Sequence, residues 1–341
     1  MVRSSDDTSR QVKVLYILGF ARSGSTILGN LLGEIDGFFH LGEVHRLWLR
    51  FPRRGVKCGC REELQACPFW AEVIATTMKK IEAREAPAAG AKYADAQALD
   101  GLRPYIPQKF LNDRDLRRWA PSEDYARTME ALFHSVAEVS GARVLVDSSK
   151  SPALAKYMWN LSTIVPYVLH MVRDPRGSVF SRQRRKARFT GGRIQIRPST
   201  AASDSLRWAR ANLAAHAIRR SKGARGQMFL PYEEFISHPE PSLRRIVELM
   251  GENPATLPLL DGRTALLETN HTVSGNVNRY QTGEVKLRLD DRWVRSMKTR
   301  DHLLVTSLTV PLLLKYGYSL RRPESSRVWS NDELGSRRGL R

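Results

Sequence analysis

Short apolar runs, rich in β-branched residues and each ending in turn or helix-start chemistry, recur at Val12 to Leu18, Arg143 to Val146, Tyr167 to Val172 and Gln227 to Leu230. Runs that stay apolar at consecutive positions, rather than alternating with polar ones, predict strands covered on both faces of a parallel sheet. A candidate helix follows each run: Thr26 to Leu32, Pro152 to Leu161, Pro175 to Arg188 and Pro239 to Met250. Proline opens three of these, which suits the first helical turn because its N–H would be unpaired there anyway. The pattern predicts an α/β fold with a central parallel β-sheet flanked by helices. Right-handed crossovers then bring the loops after all four strands to one sheet edge, where open α/β sheets bind ligands.

Between Ala71 and Pro121 the composition shifts to Ala, Lys, Glu and Arg, with a break at Pro87 to Gly90, and we read a helical insertion or lid there. The expected organisation is a disordered N-terminus over 1–11, a single domain over 12–320 and a basic disordered tail over 321–341. Met1 to Arg10 lack the apolar core of a secretory signal. The longest apolar stretch, Leu303 to Leu314, is broken by Thr, Ser and Pro and is well short of the roughly 20 residues of a spanning helix. We therefore expect a cytoplasmic protein with no transmembrane segment and with a buried C-terminal helix.

Charge narrows the partners. The 341 residues include 55 Lys+Arg against 35 Asp+Glu, a formal net charge of +20. That imbalance favours nucleic acid, an anionic membrane face touched peripherally, an acidic glycan or a multiply phosphorylated cofactor. The arginines fall at loop ends rather than along one helix face, and no zinc-finger, RNP or basic-zipper pattern occurs, so no specific nucleic acid is expected. Three cysteines, Cys58, Cys60 and Cys67, cluster in one short block. With His40 or His45 they could hold Zn²⁺, but C-x-C-x₆-C is unlike the usual paired knuckles. Packing or a redox-sensitive pair is the preferred reading, and no metal is expected.

Gly19-Phe20-Ala21-Arg22-Ser23-Gly24-Ser25-Thr26 nearly fits the phosphate loop G-x-x-x-x-G-K-[ST], with Ser25 where that pattern has lysine. Glycines, the N–H groups of a following helix and the hydroxyls of Ser23, Ser25 and Thr26 make an oxyanion site, and Arg22 supplies a cation. A P-loop kinase or NTPase would want lysine at 25 and an Asp such as Asp147 for Mg²⁺. In the second loop, Val172-Arg173-Asp174-Pro175, Arg173 ends a strand, Asp174 suits an N-cap and Ser181 lies two helical turns on.

The two loops, in this order, resemble the 5′-phosphosulfate and 3′-phosphate loops of PAPS-dependent sulfotransferases. Leu41-Gly42-Glu43, the cysteine block ending in Cys67-Pro68-Phe69-Trp70, Lys150-Ser151-Pro152, Tyr232-Glu233-Glu234, His271 to Arg279 and Lys315-Tyr316-Gly317-Tyr318 are similar to bacterial members of that family, so the resemblance spans roughly Val12 to Leu320. It implies the P-loop-like sulfotransferase fold, PAPS (3′-phosphoadenosine 5′-phosphosulfate) as donor, PAP as product and no metal requirement. It also implies that Arg22, Ser23, Gly24, Ser25 and Thr26 hold the phosphosulfate, and that Arg173 and Ser181 hold the 3′-phosphate. Tyr232 would lie near the adenine, and Ser274, Gly275, Asn276 and Arg279 would form a late cofactor loop, Arg279 being a second cation. Lys150 corresponds to a lysine at the bridging oxygen, joining Arg22 among the catalytic candidates. Glu43 leads as the base that takes the acceptor's proton; the tyrosylprotein branch places it one residue later, where this chain has Val44, which leaves His45 as the alternative. The acceptor is expected to be a glycan, glycolipid or small metabolite.

Overall fold

The computed structural model describes residues 11–84, 123–159, 161–184, 188–190, 193–195 and 199–323. In chain order the strands are β1 (Val12–Gly19), β2 (Phe38–Gly42), β3 (Val144–Asp147), β4 (Ile164–Val172), β5 (Arg188–Thr190), β6 (Arg193–Gln195), β7 (Gly226–Pro231), β8 (Leu259–Asp261), β9 (Thr264–Leu267) and β10 (Gly283–Lys286). Five of them form one parallel sheet in the order β2-β3-β1-β4-β7. β1 is the central strand, and the chain departs from it first to one side and later to the other. The loop after β1 therefore sits at the topological switch point, with helices diverging around it.

The unbroken apolar run of β1 is explained by burial on both faces. Val14, Tyr16 and Leu18 pack into a cluster that includes Trp70, Leu132, Phe133 and Tyr157, from the helices Pro68–Arg84, Glu123–Ser140 and Pro152–Met158. Leu15 and Ile17 point the other way, into a cluster with Leu28, Leu31, Phe235 and Ile246 from the helices Ser25–Gly33, Tyr232–Ser237 and Pro239–Leu249. Residues 14–18 are all fully buried, so the period of two separates two cores rather than core from solvent. Gly19 ends the strand at φ 136°, and a Cβ there would lie 2.1 Å from the Met171 carbonyl oxygen on β4. Only glycine lets the loop turn so close to its neighbour.

Three features differ from the sequence reading, and a fourth is described only in part. β2 is an additional edge strand: Phe38-Phe39-His40-Leu41-Gly42 is short, and its central histidine hides the apolar pattern. The helix after β4 stops at Gln183 instead of Arg188, and β5 pairs antiparallel with β6 beyond it. The insertion is helical over Pro68–Arg84, and its continuation over 85–121, like the N-terminus over 1–10 and the tail over 324–341, lies outside the described residues. The C-terminal helix, Thr299–Lys315, is buried along one face only. Val305, Leu312 and Leu313 are covered, whereas Leu303, Leu304, Leu308 and Leu314 are exposed, because the helix packs on a single neighbouring layer. No helix among the described residues is long and apolar enough to cross a membrane.

Candidate active site

The cradle forms where β1 enters the helix Ser25–Gly33. Gly24 caps that helix at φ 89° without a side-chain hydrogen bond, so the first helical N–H groups carry no protein cap and are free to face an anion. A Cβ at Gly24 would stand 2.5 Å from the Tyr232 ring, which shows how closely that ring covers the turn. Arg22 adopts φ 73°, one of three non-glycine residues with positive φ among those described; Lys150, at φ 64°, is another. Strained backbone of this kind persists only where surrounding contacts enforce it. Ser25 and Thr26 line the cavity in front of the turn, whereas the Ser23 hydroxyl is buried and has no hydrogen-bond partner among the described residues.

The second loop meets the first at Arg22. Arg22 Nε donates to Ser181 Oγ at 2.9 Å, and Arg173 Nη1 donates to the Arg22 carbonyl at 3.1 Å. The other end of the Arg173 fork donates to the Asp290 carbonyl at 2.7 Å and pairs with its carboxylate at 3.2 Å, while the guanidinium lies 4.6 Å above the Tyr232 ring. Asp174 caps the helix Pro175–Gln183, accepting from the Arg176 N–H at 2.8 Å, and holds the Arg176 guanidinium in a buried pair at 2.6 Å. Glu233 accepts from the Asp174 N–H, and the Tyr318 hydroxyl donates to Glu233, so the turn after the helix Thr299–Lys315 braces this loop. Burial raises the Glu233 pKa to about 7, with the nearby Asp174 adding to the effect.

Lys150 crosses from the loop after β3 to the cradle. Its Nζ donates to Ser25 Oγ at 3.3 Å and pairs with Glu43 Oε1 at 3.1 Å; Glu43 Oε2 faces Arg46 Nε at 2.9 Å. Burial works to raise the Glu43 pKa, but Lys150, Arg46 and His45 outweigh it and bring it down to about 2. His45 departs from the role offered to it. It is not among the residues that line the cavity, and its Nδ1 is buried with no hydrogen-bond partner among the described residues. Desolvation, reinforced by Arg46, lowers its pKa to about 3. His45 lies in a short 3-10 turn over Val44–Arg46, next to Glu43, the carboxylate that pairs with Lys150.

The late loop closes the site from the side of β2. The Glu43 N–H donates to the Ser274 carbonyl at 2.9 Å, and the Asn276 N–H donates to Thr26 Oγ1 at 3.4 Å. Ser274, Gly275 and Asn276 line the cavity; Arg279 does not. The Arg279 guanidinium turns inward to the carbonyls of Thr272 and Lys57, at 2.5 and 2.6 Å, and to the Tyr280 hydroxyl. Buried carbonyls at fixed range claim its donors, so it braces the loop instead of facing a ligand. The histidine beside the three cysteines is also neither of those expected: His40 sits between Asn30 and Ser148, while His271 reaches the thiols.

These groups enclose a cavity of about 410 Å³. Its described lining carries eight cations, Arg22, Arg46, Lys150, Arg173, Arg182, Lys286, Arg288 and Arg292, against two carboxylates, Glu43 and Asp290. Cations packed around a concave, partly dehydrated space focus a strong field for a polyanion. Sequence reasoning missed the wall from Lys286 to Arg292. The alternation Lys286-Leu287-Arg288-Leu289-Asp290 was a usable signal: Leu287 anchors the segment in the core, and it reaches the cavity together with Lys286 and Arg288.

A parallel α/β sheet with a helix N-terminus at its switch point and arginines around it is an arrangement suited to an anionic ligand. The sequence profile described as the sulfotransferase family matches residues 15–254, and the chain belongs to that family. A search of curated proteins finds no match. Among solved structures, the chain is similar to the sulfotransferase domain of the Synechococcus PCC 7002 olefin synthase, at 17% identity and a TM-score of 0.49, over 92% of this chain and 97% of that one. It is also similar to the sulfotransferase domain of the curacin biosynthetic pathway, at 17% identity and 0.46, over 92% and 100% of the two chains. The sulfotransferase STF9 of Mycobacterium avium matches at 13% identity and 0.45, over 92% of this chain and 78% of that one.

Proposed function

We propose that this sulfotransferase uses PAPS as donor, transfers its sulfuryl group to a hydroxyl or amine of an anionic glycan, glycolipid or metabolite, and releases PAP, with residues 12–320 as one domain. The observation that carries the reading is Lys150 Nζ at 3.3 Å from Ser25 Oγ. The cation absent from position 25 arrives from another strand and bridges the anion cradle to a carboxylate. A loop lysine that only gripped a triphosphate would have no need of that second partner.

The donor supplies a sulfuryl group whose phosphate leaving group gains negative charge during transfer. In this reading the helix N–H groups after Gly24 and the hydroxyls of Ser25 and Thr26 bind the phosphosulfate. The Arg173 fork binds the 3′-phosphate, with Ser181 orienting Arg22 beside it, and Tyr232 offers a ring face to the adenine. Lys150 stabilises the charge developing on the leaving oxygen. Glu43 accepts the acceptor's proton at its carboxylate; once Lys150 turns toward a bound anion, Glu43 loses one of its two cation partners, keeps Arg46 and becomes a stronger base. Arg279 acts as a positioning residue for Ser274 to Asn276.

A kinase reading needs a carboxylate for Mg²⁺. Asp147 does not line the cavity, it accepts from the Ser149 N–H at 2.8 Å, and burial raises its pKa to about 7. Calorimetric titration with PAP and with ATP plus Mg²⁺ tests the choice. Binding of PAP in the absence of Mg²⁺ is expected, whereas ATP hydrolysis without PAP binding overturns it. Transfer of radiolabelled sulfate from PAPS into a panel of anionic glycans and metabolites would identify the acceptor.

A further inference from the structure

Away from the cavity, Cys58, Cys60, Cys67 and His271 converge. Their ligand atoms all lie within 4.8 Å of one another although the histidine is more than two hundred residues further along the chain. Cys60 Sγ is 3.7 Å from Cys67 Sγ, and His271 Nδ1 is 3.3 Å from Cys67 Sγ and 3.8 Å from Cys58 Sγ. A tetrahedron built on a Zn–S bond of about 2.3 Å and a Zn–N bond of about 2.0–2.1 Å has S···S edges of about 3.8 Å and S···N edges of about 3.6 Å. The three separations straddle those edges, and none of the three thiols is in a disulfide. From this agreement we infer that Cys58, Cys60, Cys67 and His271 form a structural Zn²⁺ site.

The surroundings are those of a metal site. Each sulfur accepts a backbone N–H: Cys58 from Cys60, Cys60 from Glu62, and Cys67 from Trp70. Such bonds to the sulfurs stabilise thiolates and orient them. Cys67 immediately precedes the helix Pro68–Arg84, whose N-terminus favours negative charge. Phe69 stacks on the His271 ring at 5.0 Å, and the Trp70 indole N–H donates to the His271 carbonyl, fixing the ligand from both sides. A Cβ at Gly59 would lie 2.1 Å from Asn270 Oδ1, so the glycine between the first two cysteines is what lets the two loops approach.

The four ligands close the coordination sphere and leave no open position, so the ion is structural, not catalytic. It joins two segments with little regular secondary structure: the turn over residues 56–67 and the loop that runs from His271 into Ser274 and Asn276. On binding, the three thiols release their protons and the histidine stays neutral. A consequence for PAP affinity rests on the function proposed above, because those same loop residues line its cavity; the metal content does not depend on that function.

The test uses the full chain, purified without chelator and analysed by inductively coupled plasma mass spectrometry. About one zinc per chain is expected, with the three thiols unreactive until a strong chelator is added. Replacement of Zn²⁺ by Co²⁺ should give the visible bands of a tetrahedral cobalt thiolate, and Cys67→Ser or His271→Ala should lose them. If these variants fail to fold, the cobalt spectrum of the unaltered chain decides alone. Protein that holds no zinc and takes up no cobalt, whether its thiols are free or Cys60 and Cys67 are joined in a disulfide, overturns the site, as does iron in place of zinc. Zinc present with no PAP binding would leave the metal site standing and remove the functional reading.

Discussion

Arg173→Ala is the perturbation that bears most directly on the donor site. Arg173 is nearly buried, at 5% exposure, and its fork is already aimed along the cavity wall by the Arg22 and Asp290 carbonyls. A charge-assisted hydrogen bond from such a group contributes about 1.5–3 kcal/mol. Its loss should weaken PAP binding about 10- to 160-fold. The cost to stability should be smaller, because Asp290 keeps Arg292 as a partner at 2.7 Å and is not left as an unpaired buried charge. Isothermal titration with PAP, paired with a thermal melt, separates the two effects. Arg173→Lys keeps the charge but loses the fork and the stack on Tyr232, so it should fall between the parent and the alanine variant. An unchanged PAP dissociation constant in a folded Arg173→Ala protein refutes the placement of the 3′-phosphate.

The remaining predictions concern the carboxylates, the lysine and the metals. Asp290→Asn should tighten PAP binding several-fold by removing a like charge that competes for Arg173; titration showing weaker binding would contradict this. Lys150→Ala should keep PAP binding while lowering kcat by about 10²–10³-fold, the usual cost of removing one group that stabilises transition-state charge, and a steady-state assay checks it. In the unliganded parent, Glu43 stays ionised down to about pH 2, well below its ordinary 4.5, so the stability it contributes is present above pH 4.5 and lost as pH falls toward 2. The same linkage predicts that Glu43→Gln removes that part of the acid dependence in a pH series of thermal melts, and also removes turnover. Adding Mg²⁺ to desalted enzyme should not raise the transfer rate; a rate that climbs with Mg²⁺ would return the protein to phosphoryl chemistry.

What the linear chain determined was four of the five strands of the sheet and its two leading loops. Strand β1 announces itself because residues covered on both faces must be apolar at successive positions, and the cradle because close backbone approach requires glycine at Gly19 and Gly24. The capping role of Asp174 was also readable, since an N-cap is a contact between residues two or three apart. Only the tertiary structure decided which charges meet. Lys150 and Ser25 are separated by most of a crossover, yet they touch because β3 lies beside β1. Arg279 carries the same charge as Arg173, and both donate to backbone carbonyls, but only Arg173 lines the cavity. Along the sequence His40 and His45 are the histidines nearest the cysteines, while the fold brings His271 there. Local patterns report what a residue needs from its immediate backbone; electrostatic and metal-ligand partners depend on through-space distance, which the order of residues along the chain does not carry.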